Sequence, residues 1–133
     1  MKKQVMRRRT SRDTGFHDYV VHDLLGARPG IASRAMFGGW GLYSDGLIFA
    51  IIVEGELFFK ADEESRRVFE AQGSRQFTYT TRARPTPVGM PYWLVPEGVL
   101  EDSDVFDDWV ALAIRSAGKA GTRNTRSRVR RDK

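Results

Sequence analysis

The sequence contains no cysteine, only two histidines (His17 and His22) and five prolines in 133 residues. Without cysteine there is no disulfide scaffold, no thiol nucleophile and no thiolate-bound zinc or iron–sulfur centre. Long hydrophobic runs are also missing. The longest, Leu47 to Val53, falls well short of the roughly twenty apolar residues that cross a bilayer. The N-terminus is charged with no apolar stretch behind it, so no signal peptide is expected. What is present is ordinary for a globular chain: 41% hydrophobic and 29% charged residues. A chain of this length buries a core without a metal or disulfide staple. The expectation is one cytoplasmic domain with no membrane partner.

Acid is nearly absent at both ends. Residues 1–12 contain Lys2, Lys3, Arg7, Arg8, Arg9 and Arg12 and no carboxylate. Residues 117–133 set Lys119, Arg123, Arg126, Arg128, Arg130, Arg131 and Lys133 against Asp132 alone. Each end therefore carries +6. The segment 13–116 carries −7, from nine Lys and Arg against sixteen Asp and Glu. The overall +5 describes the ends and not the middle. With almost no large apolar residues to offset ordering entropy, 1–12 and 117–133 read as disordered basic arms around a folded 13–116.

Within that segment Phe16, Tyr19, Val20 and Leu24 recur at helical spacing, with Gly26 and Pro29-Gly30 as a stop. Ser33 to Phe37 reads as a strand, and Asp45-Gly46 as a two-residue hairpin turn. Glu54-Gly55 marks a second turn. Between them, Leu47 to Val53 is apolar on both faces, the pattern of a strand covered twice. Leu57-Phe58-Phe59 continues the meander. Asp62-Glu63-Glu64 opens a helix anchored by Val68 and Phe69 and closed at Gly73. Phe77 to Thr80 reads as an edge strand, Arg82 to Pro91 as a loop, and Tyr92 to Val95 as a last strand. A terminal amphipathic helix begins near Asp102 or Ser103, with Val105, Trp109, Leu112 and Ser116 on one stripe, widened by Phe106, Val110 and Ala113. The order is α-β(3-4)-α-β(1-2)-α, an α+β domain with a largely antiparallel sheet.

Met36-Phe37-Gly38-Gly39-Trp40-Gly41-Leu42-Tyr43 resembles the MFGGxGxY signature of the TfoX/Sxy N-terminal domain family. Further segments follow in that family's order: Leu57 to Asp62, Phe69 to Ser74, Phe77-Thr78-Tyr79 and Tyr92 to Glu97. The resemblance covers about residues 16–116. It implies a fold similar to type III secretion chaperones, with no established catalytic activity and no cofactor. It also implies a regulatory role in bacteria, since full-length members govern natural competence together with the cyclic-AMP receptor protein. Those members carry a second, helical domain. Only seventeen basic and polar residues follow the last helix here, so that second domain is not expected in this sequence.

Each polar candidate has a structural reading beside the chemical one. The Gly38-Gly39-Trp40-Gly41 cluster lacks the third glycine of G-x-G-x-x-G and any Gly-Lys-Ser/Thr step. Glycines between two strands instead permit a bulge, a close approach or positive φ. On an α-helix His17 and His22 point roughly 140° apart and share no metal. His22 and Asp18 are spaced for a surface pair, and a general base would need a nucleophile that neither histidine shows in sequence. The acids Glu101, Asp102, Asp104, Asp107 and Asp108 serve as caps and dipole partners rather than a calcium loop. No catalytic, cofactor or metal residue is assigned. Met36, Phe37, Gly38, Gly39, Trp40, Gly41 and Tyr43 are read as structural. The candidate phosphate contacts are Arg7, Arg8, Arg9, Arg12, Arg123, Arg126, Arg128, Arg130 and Arg131.

The sequence thus points to a non-enzymatic regulatory or adaptor domain that works by protein contact, with transcription machinery as the partner by resemblance. Basic ends would add non-specific DNA affinity. A homodimer stays open. The alternative is an enzyme or small-ligand binder built on the glycine-rich hairpin.

Overall fold

A computed structural model describes residues 14–131 except 27, 37, 81, 82 and 84, with side chains described as far as Lys119. The first described element is helix α1 (Thr14–Asp18), which widens directly into a π-helical turn over Tyr19–Leu24. Its signature bond runs from the Leu25 N–H to the Val20 carbonyl at 2.9 Å. Residues five apart then share a face, so Val20 and Leu25 are both buried and Tyr19 is exposed. Phe16, Val20 and Leu24 pack on the core as expected, and Tyr19 is the correction, since the stripe assumed 3.6 residues per turn throughout.

Four antiparallel strands follow: β1 (Ile31–Met36), β2 (Gly39–Ser44), β3 (Leu47–Val53) and β4 (Glu56–Lys60). Asp45 and Gly46 both adopt positive φ, at 49° and 86°, as a type I′ hairpin requires. Glu54 and Gly55 repeat this at 52° and 75°. Helix α2 (Arg66–Ala71) ends in a Schellman arrangement: the Ser74 N–H reaches the Phe69 carbonyl and the Gly73 N–H the Glu70 carbonyl. Next come β5 (Gln76–Tyr79), β6 (Val88–Leu94), the short α3 (Glu97–Leu100) and the long α4 (Ser103–Arg131). The sheet order is β1-β2-β3-β4-β6-β5, so the architecture is α+β with one open antiparallel sheet.

Two boundaries differ from expectation. Strand β6 begins at Val88, inside the stretch read as loop; Pro91 is tolerated because it lies where the β5–β6 register shifts. Helix α4 continues to Arg131, across residues read as a disordered tail. Arg, Lys and Ala are good helix formers, and extending an existing helix avoids the cost of nucleation. Ala117 is buried and Lys119 pairs with Asp62, so packing also passes the expected boundary at 116. The arm 1–12 lies outside the described residues.

The core lies on one side of the sheet. Phe106, Trp109, Val110, Ala113 and Ala117 of α4 pack over Leu42, Phe49, Ile52, Leu57 and Phe59. Phe69 of α2 meets Trp109 edge-on at 4.6 Å. Of the expected stripe, Phe106, Trp109, Val110, Ala113 and Ser116 are buried, while Val105 is exposed and Leu112 half-buried. A β-bulge explains how β3 serves both sheet faces. Leu42 pairs with Ala50 and Tyr43 with Ile48, so Phe49 is the extra residue. Phe49 and Ala50 both face the helices, while Ile48 and Ile51 join the opposite face.

Candidate functional site

The expected site residues divide between the two faces of the sheet. On the helix side, Trp40 stacks on His17 with ring centroids 3.9 Å apart. His17 is buried, with Nδ1 2.9 Å from Asp18 Oδ1 and Nε2 2.9 Å from Ser33 Oγ. A carboxylate only accepts, so in the neutral ring Nδ1–H donates to Asp18 and Nε2 accepts the Ser33 hydroxyl. Carboxylate, imidazole and hydroxyl in that order are the connectivity of an activated serine. The surroundings do not complete it. The Asp18 side chain is 60% exposed. Ser33 sits mid-strand opposite Leu42, where successive N–H groups point in opposite directions instead of converging on an oxyanion. The cluster acts as a polar clamp that fastens α1 to edge strand β1. Sequence reasoning missed it because Ser33 lies sixteen residues from His17. It also paired Asp18 with His22, whereas Asp18 bonds to His17 and His22 is exposed.

The glycines hold this region closed. Gly38 has φ +77°, and a Cβ on Gly39 would come within 2.2 Å of the Ile52 carbonyl oxygen. A Cβ on Gly41 would meet Met36 Sδ at 2.7 Å on the other face. Phe37 lies outside the described residues.

A second polar group joins α2 to α4. Asp62 and Ser65 cap one another: the Ser65 N–H donates to Asp62 Oδ1 at 2.7 Å and the Asp62 N–H to Ser65 Oγ at 3.0 Å. Ser65 Oγ also lies 3.1 Å from Ser116 Oγ, and Lys119 Nζ donates to Asp62 Oδ2 at 3.0 Å. The Ser65 backbone N–H, helped by Lys119 and the Ser65 hydroxyl, holds the Asp62 carboxyl well below the usual carboxylate range, against a partial desolvation that raises it. An open recess of about 900 Å³ beside it is lined by both signs of charge, including Lys60, Arg66, Asp62 and Glu63. Among the described residues no group of three or more His, Asp or Glu is placed to hold a metal.

The opposite face of the sheet is the more distinctive surface. Ile51, Phe58 and Tyr92 form a second apolar cluster, with Ile48, Val53, Phe77, Met90 and Leu94 packed against it. No described helix covers it. A groove of about 600 Å³ runs over this face between Met36 and Ile48 at one side and Phe77, Tyr79 and Met90 at the other. The expectation that β3 is covered twice is therefore corrected: the second face is apolar without a covering element among the described residues. Cations stand over its rings. Arg34 lies 5.4 Å from the Tyr43 ring, Lys60 5.9 Å from Tyr92 and Arg75 5.6 Å from Phe58. Burial lowers the Lys60 pKa and raises that of the Tyr92 phenol. The motif residues Met36, Gly41 and Tyr43 belong to this face.

Of the candidate phosphate contacts, Arg7, Arg8, Arg9 and Arg12 lie outside the described residues. Arg123, Arg126, Arg128, Arg130 and Arg131 lie along α4. No described helix is long and apolar enough to cross a membrane.

The family model described as the TfoX N-terminal domain matches residues 23–117. The match takes in the whole sheet and the packed part of α4, and begins after His17 and Asp18. Among curated proteins, none matches the chain.

Proposed function

The chain belongs to the TfoX N-terminal domain family, and on that premise we propose that it is a non-enzymatic regulatory adaptor of the competence type that works by protein contact. The observation that supports this reading is the apolar groove of the open sheet face, where Met36, Ile48, Val53, Phe77, Tyr79 and Met90 reach the surface around buried Ile51 and Tyr92. A contiguous apolar surface of this kind marks an interaction site. The family's known regulators act on transcription, and the proposal assigns this chain a role of that kind in the cytoplasm. The arginines of α4 and of residues 1–12 add sequence-independent contact with DNA phosphates.

The test is affinity capture from host lysate with and without nuclease, using the parent and a Val53→Glu variant. Val53 is half-buried on the open face. A protein retained by the parent after nuclease and lost by the variant supports the adaptor reading. Retention that disappears with nuclease assigns the contact to nucleic acid bridging. Equal retention by both proteins removes the open face from the interaction.

A further inference from the structure

The distribution of charge on the open sheet face names the partner that fits it. Cross-strand pairs share a face, so the register places Arg34 beside Gly41, Lys60 beside Tyr92 and Glu56 beside Val53 on the open side. Among the described strand residues on that side Glu56 is the lone carboxylate, and it is bonded to Arg75. Lys60 is half-buried, and among the described residues it has no carboxylate partner. The other described acids sit off the strands: around α2, in α3, at the start of α4, on the first helical segment, and in the hairpin turns as Asp45 and Glu54. The groove's own lining carries no charged side chain, and on the strands that flank it Arg34 and Lys60 are the cations without a carboxylate partner among the described residues.

We propose that this groove receives an amphipathic helix with acidic flanks, its apolar stripe on Ile51, Val53, Phe77 and Met90 and its carboxylates on Arg34 and Lys60. The inference rests on the adaptor reading and specifies its partner. Methionines at two margins of the groove, Met36 and Met90, supply the adaptable surface that helix-binding grooves use. Six strands at about 4.8 Å spacing span roughly 24 Å, the length of about sixteen helical residues. A second copy of the chain is a poor occupant, because face-to-face docking sets the same cations against one another. The arm 1–12 is excluded by its own positive charge. Single-stranded nucleic acid stacks successive bases on free ring faces, and here the rings of Tyr43, Tyr92 and Phe58 carry cations and Phe77 meets Phe58 edge-on, which leaves Tyr79 as the exposed ring.

The experiment uses the full chain and two fluorescent peptides of about sixteen residues that share one leucine stripe, with glutamate or glutamine on the flanks. Anisotropy titrations are run on the parent, on an Arg34→Gln, Lys60→Gln double variant, and on Tyr79→Asp at the exposed rim. The expected result is at least about tenfold tighter binding of the glutamate peptide by the parent. The double variant loses that preference while keeping its affinity for the glutamine peptide, which also shows that the groove remains folded. Tyr79→Asp weakens both. An undiminished preference in the double variant places the peptide on the basic ends and overturns the proposal. So does equal binding of the two peptides, binding of neither, or an oligothymidine that binds in their place and is lost in the double variant. These failures remove the acidic helix as occupant; the capture experiment decides the adaptor reading separately.

Discussion

A Cβ on Gly39 would meet the Ile52 carbonyl oxygen at 2.2 Å, and backbone cannot step aside as a side chain can. Gly39→Ala is therefore expected to cost about 1–3 kcal/mol, as overpacking does. Gly41→Ala meets the flexible end of Met36 and should cost less. Denaturant unfolding of both variants checks the order, and equal stabilities would contradict the packing described here. At Asp62 the effect is one of pH. The folded carboxyl is held below its unfolded value of about 3.9. Its contribution to stability is thus present above that value and is lost as pH falls through the folded pKa. The gap in unfolding midpoint between the parent and Asp62→Asn should be widest near neutrality and narrow in acid. A gap that widens in acid would show the sign to be wrong. The glycine cluster was legible as a place of close approach, but the backbone that Gly39 meets, thirteen residues on at Ile52, was not. Asp62 was visible as the opening of a helix, but Lys119 lies 57 residues away.

Elements were legible where their signals are local. The positive-φ pairs Asp45-Gly46 and Glu54-Gly55 mark their own turns, and Gly73 marks the end of α2. The terminal helix showed in its apolar period, but which flank of that period meets the sheet depends on the partner surface. This is why Val105 and Phe106 were both placed inward, yet only Phe106 is buried. Trp109→Ala should cost about 3–5 kcal/mol, since its ring fills the space against Phe69. Val105→Ala should stay within about 0.5 kcal/mol. Thermal or denaturant unfolding of the pair tests the assignment, and a large loss at Val105 would restore the original stripe. The π-helical turn at Tyr19–Leu24 and the bulge at Phe49 carry no comparable local signal. Both are settled by what the inserted residue packs against. The open face was hidden for a related reason: an apolar strand reads the same whether one layer or two covers it.

At the scale of the molecule, charge is divided between a negative packed body and positive ends. If the ends contact duplex DNA, affinity should fall about a thousandfold between about 50 and 200 mM salt for about six neutralised phosphates. Replacing Arg123, Arg126, Arg128, Arg130 and Arg131 by serine in the full chain should weaken binding and flatten that dependence by about one unit of slope per lost contact. A salt-titrated binding assay that shows no change in the variant would move the contact to other residues. The sheet order holds a further consequence, for the order of events in folding. Strands β1 to β4 pair through two-residue turns and short links, so their ladders close small loops at little entropic cost. Joining β4 to β6 instead brings Phe58 to Leu94 across the whole of α2 and β5. The meander can form its contacts while the β5–β6 hairpin is still searching. Within the sheet, the ladder that docks this hairpin beside Phe58 is then expected to be the last to close.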